Sequence, residues 1–212
     1  MAGFLETFAH PAESALASAT PDPLRDLERQ SLARIRYLAC YHSMGLDKHL
    51  ETTAELSLLI AEELDLPPLE KENIWYAGSL HDIGKISIHP RILQKEDRLT
   101  EEEYIEIQNH TIFGHQILSG LGRELYAICA EVALSHHERW DGEGYPNKIR
   151  GEEISLATRI VSIADVYDCI TAGRPYRSCE PKEEALQELQ NCAGSQFDPH
   201  LVEIFVEKMS RS

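Results

Sequence analysis

The most informative residues of the sequence are a histidine and an aspartate that stand side by side, His81 and Asp82, at the end of an apolar segment. One imidazole nitrogen and two carboxylate oxygens at one place suit a divalent transition metal, and a carboxylate can bridge two such ions. Adjacent residues of a helix do not share a face, so the pair serves one site best where the helix ends. Gly84 is expected to end it in a left-handed conformation. For an isolated pair, a packed histidine beside a loop-capping aspartate is the better interpretation.

Further histidines and one aspartate favour a metal site over this structural interpretation. They lie in segments of helical periodicity whose apolar faces point to one core, and they comprise His49, His110, the doublet His136 and His137, and Asp165. The doublet ends its helix directly before a glycine-rich loop. Asp165 interrupts an apolar run, where a carboxylate is costly unless it is hydrogen-bonded or bound to a metal. Alone, Asp165 is better interpreted as a buried carboxylate with a backbone or histidine partner, but together these residues predict a metal centre.

The elements that must position these residues are helices. Apolar residues recur at helical spacing, and no segment alternates with period two for long enough to predict a strand. We therefore expect an all-α fold, a compact bundle of seven or eight helices. Residues 1–40 are expected to form a lead-in and a helix, and residues 41–212 the domain itself. The predicted helices lie at about 24–39, 46–64, 70–81, from Thr100 onward, 123–137, 155–172, 181–192 and 199–209.

Composition narrows the classes of partner and compartment. The 212 residues include 20 Lys and Arg against 36 Asp and Glu, a formal net charge of −16, which repels nucleic-acid phosphates and anionic membranes. Neither extended nucleic acid nor a membrane is therefore an expected partner. Five cysteines without a CxxC pair indicate a reducing compartment. Since nothing in the sequence suggests a signal peptide and no apolar segment is long enough to span a membrane, we expect a soluble cytoplasmic protein.

Three longer runs resemble one known family. HDIGK at 81–85, HHERWDGEGYP at 136–146 and DVYDCITAGRPYR at 165–177 are similar to the motifs of the HD-GYP phosphodiesterases, a branch of the HD phosphohydrolase superfamily. With His49, the likeness covers the chain from there to about Phe205. It implies an HD-domain-like fold with a GYP loop. It also implies hydrolysis of cyclic di-GMP to linear pGpG, and in some members onward to GMP.

The resemblance implies two divalent metal ions, iron or manganese, which activate a hydroxide that attacks the phosphorus. Members with a third ion have a glutamate one helical turn before the first histidine, where this chain has Gly45, so two ions are expected. The implied ligands are His49, His81, Asp82 and Asp165 for one ion, and His110, His136 and His137 for the other, with Asp82 as the bridge.

The resemblance also implies which residues hold the substrate. Lys85 would act at the scissile phosphate, where an ammonium group neutralises charge that develops on the oxygens. Arg174 and Arg177 would contact phosphate or base through their forked donors, and they would supply the local positive charge that a dianion needs. Tyr145 of the GYP tripeptide either borders a guanine or packs beneath the loop.

Other functions stay open from the sequence. The chain could be a non-catalytic module that binds a cyclic dinucleotide, or that docks a signalling protein such as a diguanylate cyclase through the GYP loop. Seven filled ligand positions favour the enzyme. It could also act on another cyclic dinucleotide, such as 3′,3′-cyclic GMP-AMP. The helix at about 23–42 either pairs two copies in a homodimer or follows a domain outside this sequence.

Overall fold

Helices make up the regular structure of the protein. A computed structural model describes residues 22–42, 46–95, 97–120, 123–172 and 180–211, and within these ranges it contains ten α-helices, two short 3-10 helices and no strand. The all-α prediction is confirmed. The α-helices are α1 (Pro23–His42), α2 (Leu46–Glu63), α3 (Pro68–Gly78), α4 (Pro90–Leu93), α5 (Glu101–Gln108), α6 (His110–Leu118), α7 (Glu124–Ser135), α8 (Leu156–Thr171), α9 (Lys182–Asn191) and α10 (Pro199–Ser210).

Two apolar clusters hold the helices together. The first is formed by α1, α2, α3 and α7, with Leu32, Leu50 and Leu125 fully buried. The second joins α2 and α8 to α9 and α10 around Ile163 and Phe205. Helices α2, α3 and α8 contribute to both clusters. Their backbones are therefore fixed on two sides by burial of apolar surface, the dominant favourable contribution to folding.

Helix α1 packs closely on the rest of the chain. Besides Leu32, it buries Arg25 against Glu72 of α3 at 3.1 Å, and Arg29 Nε donates to the same carboxylate at 2.5 Å. A buried carboxylate needs such partners, because an unpaired buried charge is strongly destabilising. The domain boundary near residue 40 stays a prediction, although the helix before it is packed into the first cluster. Among the described residues, no helix is long and apolar enough to cross a membrane.

The segment after α3 differs from the expectation. Helix α3 ends at Gly78, and the chain then turns through His81 and Asp82 into a 3-10 helix, Ile83–Ser87. The left-handed conformation expected for Gly84 is wrong, since the glycines with positive φ in the described ranges lie elsewhere. Gly84 instead lies against the backbone of α6, where a Cβ atom would overlap the carbonyl oxygen of His110. The glycine therefore permits a close contact between two segments.

The predicted capping box at Thr100 is confirmed. The Thr100 hydroxyl accepts from the backbone N–H of Glu103, and the Glu103 carboxylate accepts from the backbone N–H of Thr100. The helix that it opens ends at Gln108, and a separate helix, α6, begins at His110. This break places His110 in the first turn of a new helix.

Gly84→Ala is expected to lower the free energy of unfolding by about 1–3 kcal/mol, the usual cost of overpacking. The added methyl must push the 3-10 helix away from α6, since its neighbours are backbone atoms. Urea unfolding of the chelator-treated protein measures this cost. Ser87→Ala, at an exposed position of the same 3-10 helix, is the matched control. A Gly84→Ala protein as stable as the control would show that the close contact is absent.

Candidate metal centre

Three helix ends and the faces of two helices deliver the candidate ligands to a single place. All seven residues predicted as ligands are brought together by the structure. Helix α3 is followed by His81 and Asp82, α6 begins with His110, α7 is followed by His136 and His137, and the other two ligands are His49 on α2 and Asp165 on α8. Such positions let adjacent residues such as His81 and Asp82 face the same site, which a continuing helix would prevent.

One half of the centre is formed by His49, His81 and Asp165. His49 Nε2 lies 3.2 Å from Asp165 Oδ1, and His81 Nε2 lies 3.8 Å from the same oxygen. Both nitrogens also approach Asp82 Oδ2, at 3.6 Å and 3.5 Å respectively. Two imidazoles and two carboxylates therefore converge, which is a donor set that suits a divalent transition metal.

The other half is formed by His110, His136 and His137, whose donor atoms all lie within 4.8 Å of one another. Here the second oxygen of Asp82 takes part, since Oδ1 lies 3.3 Å from His110 Nε2 and 3.7 Å from His136 Nε2. Asp82 thus directs one carboxylate oxygen at each half. A carboxylate placed in this way would be able to bridge two ions.

Backbone carbonyls determine which ring nitrogen of three histidines faces the centre. The Nδ1–H groups of His81, His110 and His136 donate to the carbonyl oxygens of Gly78 (2.7 Å), Ile107 (2.6 Å) and Ala133 (3.1 Å). Because a carbonyl only accepts, each Nδ1 carries the proton and each Nε2 presents a lone pair to the centre.

Two of these inward-facing atoms have no hydrogen-bond partner although they are buried. They are His81 Nε2 and Asp82 Oδ1. The Nε2 atoms of His110 and His136 lie 3.2 Å apart, and neither carries a proton, so both are hydrogen-bond acceptors. Converging acceptors without a donor are unfavourable in a protein interior, and a cation satisfies all of them at once. The residues present therefore fit metal ions.

The protonation states are those of metal ligands. Burial, together with the neighbouring His110, lowers the pKa of His137 to about 3, and burial also lowers the pKa of His110 and His136. For Asp82, burial opposes ionisation, but Lys85 and His81 hold its pKa well below the usual range. Near pH 7, the imidazoles of His110, His136 and His137 are therefore neutral and the Asp82 carboxylate is ionised, as metal binding requires.

His49 is different because three carboxylates surround it. Burial lowers its pKa, but hydrogen bonds to Asp165, Asp168 and Asp82 outweigh burial and raise the pKa to about 11. A cation that binds this imidazole must therefore displace a proton, which couples binding in this half to pH.

The predicted substrate residues that the structure describes lie next to the centre. Lys85 is half-buried and its ammonium group contacts Asp82 Oδ2 directly. The ring of Tyr145 stacks on His137, with centroids 4.8 Å apart and planes inclined by 28°. Tyr145 also borders an open cavity of about 370 Å³, together with Tyr104 and Arg139. The GYP loop thus places its tyrosine against a candidate ligand and in the wall of a cavity that His136 and His137 also line.

Two buried carboxylates near the centre were missed in the sequence. Asp168 accepts from His49 Nδ1 at 2.6 Å. Glu138 accepts from the backbone N–H groups of Asn147 (2.6 Å) and Lys148 (3.1 Å), and so holds the GYP loop. The spacing of Asp168 could have indicated it, because Asp168 follows Asp165 by three residues and therefore lies on the same face of α8.

Three residues of the sequence predictions lie outside the described part of the chain. Arg174 and Arg177 fall within 173–179, and Gly45 falls within 43–45. The substrate contacts of the two arginines and the expectation of two ions rather than three stay predictions.

Comparisons with known proteins agree with the geometry. The HD domain family matches residues 33–201. A cyclic di-GMP phosphodiesterase of Thermotoga maritima is 40% identical over 173 residues, which are 82% of this chain and 47% of that protein. The 3′3′-cGAMP-specific phosphodiesterase 2 of Vibrio cholerae is 34% identical over 184 residues, 87% of this chain and 35% of that protein. The chain thus spans less than half the length of either relative.

A solved structure shows the same fold. It is that of Bd1817, an HDG"Y"P protein from Bdellovibrio bacteriovorus, which superposes with a TM-score of 0.62 at 20% identity. The match covers 78% of this chain and 52% of Bd1817. At that identity, the likeness concerns the fold alone.

Proposed function

Because the chain belongs to the HD-GYP branch of the HD-domain family, we propose that it is a metal-dependent phosphodiesterase that hydrolyses cyclic di-GMP to linear pGpG. The observation that carries this proposal is Asp82, whose two oxygens face two separate groups of histidines. A single structural ion would need only one of these groups. Relatives named as cyclic di-GMP phosphodiesterases support the choice of substrate.

Two divalent ions, iron or manganese, would supply a hydroxide nucleophile near neutral pH and would polarise the phosphoryl group when bound. The chain's own residues would hold and orient them. Asp82 would bind both ions through separate oxygens. His49, His81 and Asp165 would complete one site, and His110, His136 and His137 the other.

The residues around the centre would position the substrate. Lys85 would donate to a non-bridging phosphoryl oxygen, where its charge offsets the negative charge that grows in the transition state. Tyr145 has one face against His137, so its edge and other face are what a guanine can contact. The cavity beside it would receive one nucleotide of the cyclic substrate. Docking of a diguanylate cyclase at the GYP loop, and pairing of two copies, stay predictions.

Turnover of cyclic di-GMP tests the proposal. The full chain, loaded with manganese under reducing, anaerobic conditions, is incubated with the substrate, and the nucleotides are separated by chromatography. We expect pGpG to form, and a chelator to stop its formation. Binding of cyclic di-GMP without any product would favour the non-catalytic module. Because one relative is named as specific for 3′3′-cGAMP, that nucleotide is run in parallel. Faster turnover of it would change the proposed substrate.

The number of ions and the product are linked in a further prediction. Glycine at position 45, four residues before His49 in the sequence, offers no side-chain ligand, so we expect about two metal ions per chain by elemental analysis. The linear product carries a terminal phosphate of roughly two negative charges, which a third ion would help to anchor. pGpG should therefore accumulate before GMP appears. Three tightly bound ions, or GMP as the early dominant product, would contradict this expectation.

Alanine at Arg174 or Arg177 is expected to raise the KM for cyclic di-GMP roughly ten- to hundredfold, because a hydrogen bond to a charged group contributes about 1.5–3 kcal/mol. Metal content should not change. Arg211→Ala is the control, since this exposed arginine pairs with Glu207 at 2.8 Å, on the C-terminal helix. An unaltered KM in the double variant would place the substrate elsewhere.

A further inference from the structure

Two carboxylates of one helix hold opposite sides of the His49 ring. Asp165 faces Nε2 at 3.2 Å, and Asp168 accepts from Nδ1 at 2.6 Å. Asp168 is buried, with 8% of its side chain exposed. Its carboxylate is not directed at the centre, because the imidazole stands between them. It therefore acts on the centre through His49.

The contact sets His49 apart from other histidines of the centre. His81, His110 and His136 donate their Nδ1 protons to neutral backbone carbonyls. His49 has an anionic acceptor instead. A carboxylate behind a ligating imidazole fixes the ring orientation and makes the other nitrogen a stronger donor to a metal.

The charges around the two halves are unequal as well. The His49 half is faced by three carboxylates, those of Asp82, Asp165 and Asp168. Lys85 offsets one of these charges through its contact with Asp82 Oδ2. The other half has three imidazoles and a single oxygen of Asp82. Once a divalent cation has displaced the proton of His49, these carboxylates attract it more strongly than the single Asp82 oxygen attracts a cation in the other half.

We infer that Asp168 is a positioning residue that orients His49 and makes the His49 half of the centre the tighter of two metal sites. The inference rests on the two-ion centre of the proposed function and goes beyond it by ranking the sites. It assigns that ranking to a residue that would touch neither metal nor substrate.

Calorimetric titration of the chelator-stripped full chain with Mn²⁺, under reducing conditions, tests the inference without any measurement of activity. Wild-type protein is expected to bind in a tight and a weak phase. Asp168→Asn keeps the size of the side chain and an acceptor for Nδ1–H, but removes the charge. It should weaken the tight phase about 10- to 100-fold, the usual effect of losing such a partner, and leave the weak phase unchanged.

Two further variants separate positioning from packing. Asp168→Glu keeps the carboxylate in a larger side chain, so it should recover more of the tight phase than asparagine does, whereas a steric role predicts the reverse order. Thr171→Val is the matched control on α8, because within the described part of the chain the Thr171 hydroxyl bonds to backbone carbonyls of its own helix. Both phases should be unchanged in this control. Circular dichroism of each stripped variant verifies that the helices are retained.

An unchanged tight phase in Asp168→Asn, or a loss confined to the weak phase, would overturn the inference and leave the proposed function intact. A wild-type chain that binds no manganese would overturn the two-ion centre of the proposed function, and this inference with it. If Asp168→Asn does not fold, the affinity of the tight phase is compared between Asp168→Glu and the wild type instead. A tight phase weakened more than 100-fold although the charge is kept would then contradict the role of the carboxylate.

Discussion

Asp82→Asn is expected to abolish hydrolysis of cyclic di-GMP and to deplete both metal ions, while the helical fold persists. Asp82 is the residue whose separate oxygens approach nitrogens of both halves, at 3.3 Å from His110 Nε2 and 3.5 Å from His81 Nε2. Asparagine has the same shape but offers one neutral oxygen, and so it cannot bridge two cations. The rate should fall by more than the roughly thousandfold loss that follows removal of one hydrogen-bond donor to a transition state.

The matched control is Asp65→Asn, the same chemical change at an exposed position in the turn after α2. Asp65 has φ = 51°, a backbone conformation that asparagine also adopts readily. Metal analysis, circular dichroism and the rate of pGpG formation are measured for both variants. The control should match the wild type in all three. Wild-type hydrolysis by Asp82→Asn would contradict the two-ion mechanism.

Lys85→Ala should keep its metal and lose about 10²- to 10³-fold in kcat, the effect of removing one preorganised donor to a developing charge. The ammonium group contacts Asp82 Oδ2, and it is half-buried beside the centre. Removal of a cation leaves Asp82 a more attractive ligand for metal ions. The number of bound ions should therefore not fall, although the rate does.

Lys85→Arg is the companion variant, because it keeps the positive charge but changes the geometry of the donor. Its kcat should fall between those of the wild type and the alanine variant. Elemental analysis and steady-state kinetics on the same preparations distinguish the roles. Depletion of metal in Lys85→Ala would show that the lysine holds Asp82 in place rather than acting on the phosphate.

The fold class could be predicted from helical periodicity, and so could the existence of a metal centre. The separate roles of the seven ligands came from the resemblance of the motifs. Helix α3 ends three residues earlier than its apolar pattern indicates, because the chain continues as a turn and a 3-10 helix of similar composition. Local patterns cannot separate these conformations when both bury their side chains.

The remaining misses are contacts between distant segments. Gly84 was interpreted as a helix stop, whereas its small size permits contact with the His110 backbone, 26 residues along the chain. The position of Asp168 on α8 could have been read from its spacing. Its partner could not, because His49 is 119 residues away and is brought near only by the packing of α2 on α8.

The most direct test of the two-ion centre is anomalous X-ray scattering from crystals of the manganese-loaded full chain, measured at the manganese edge. Two anomalous peaks per chain are expected, one beside each carboxylate oxygen of Asp82. The first peak should lie among His49, His81 and Asp165, and the second among His110, His136 and His137. A single peak, or peaks away from Asp82, would contradict a two-ion phosphodiesterase centre.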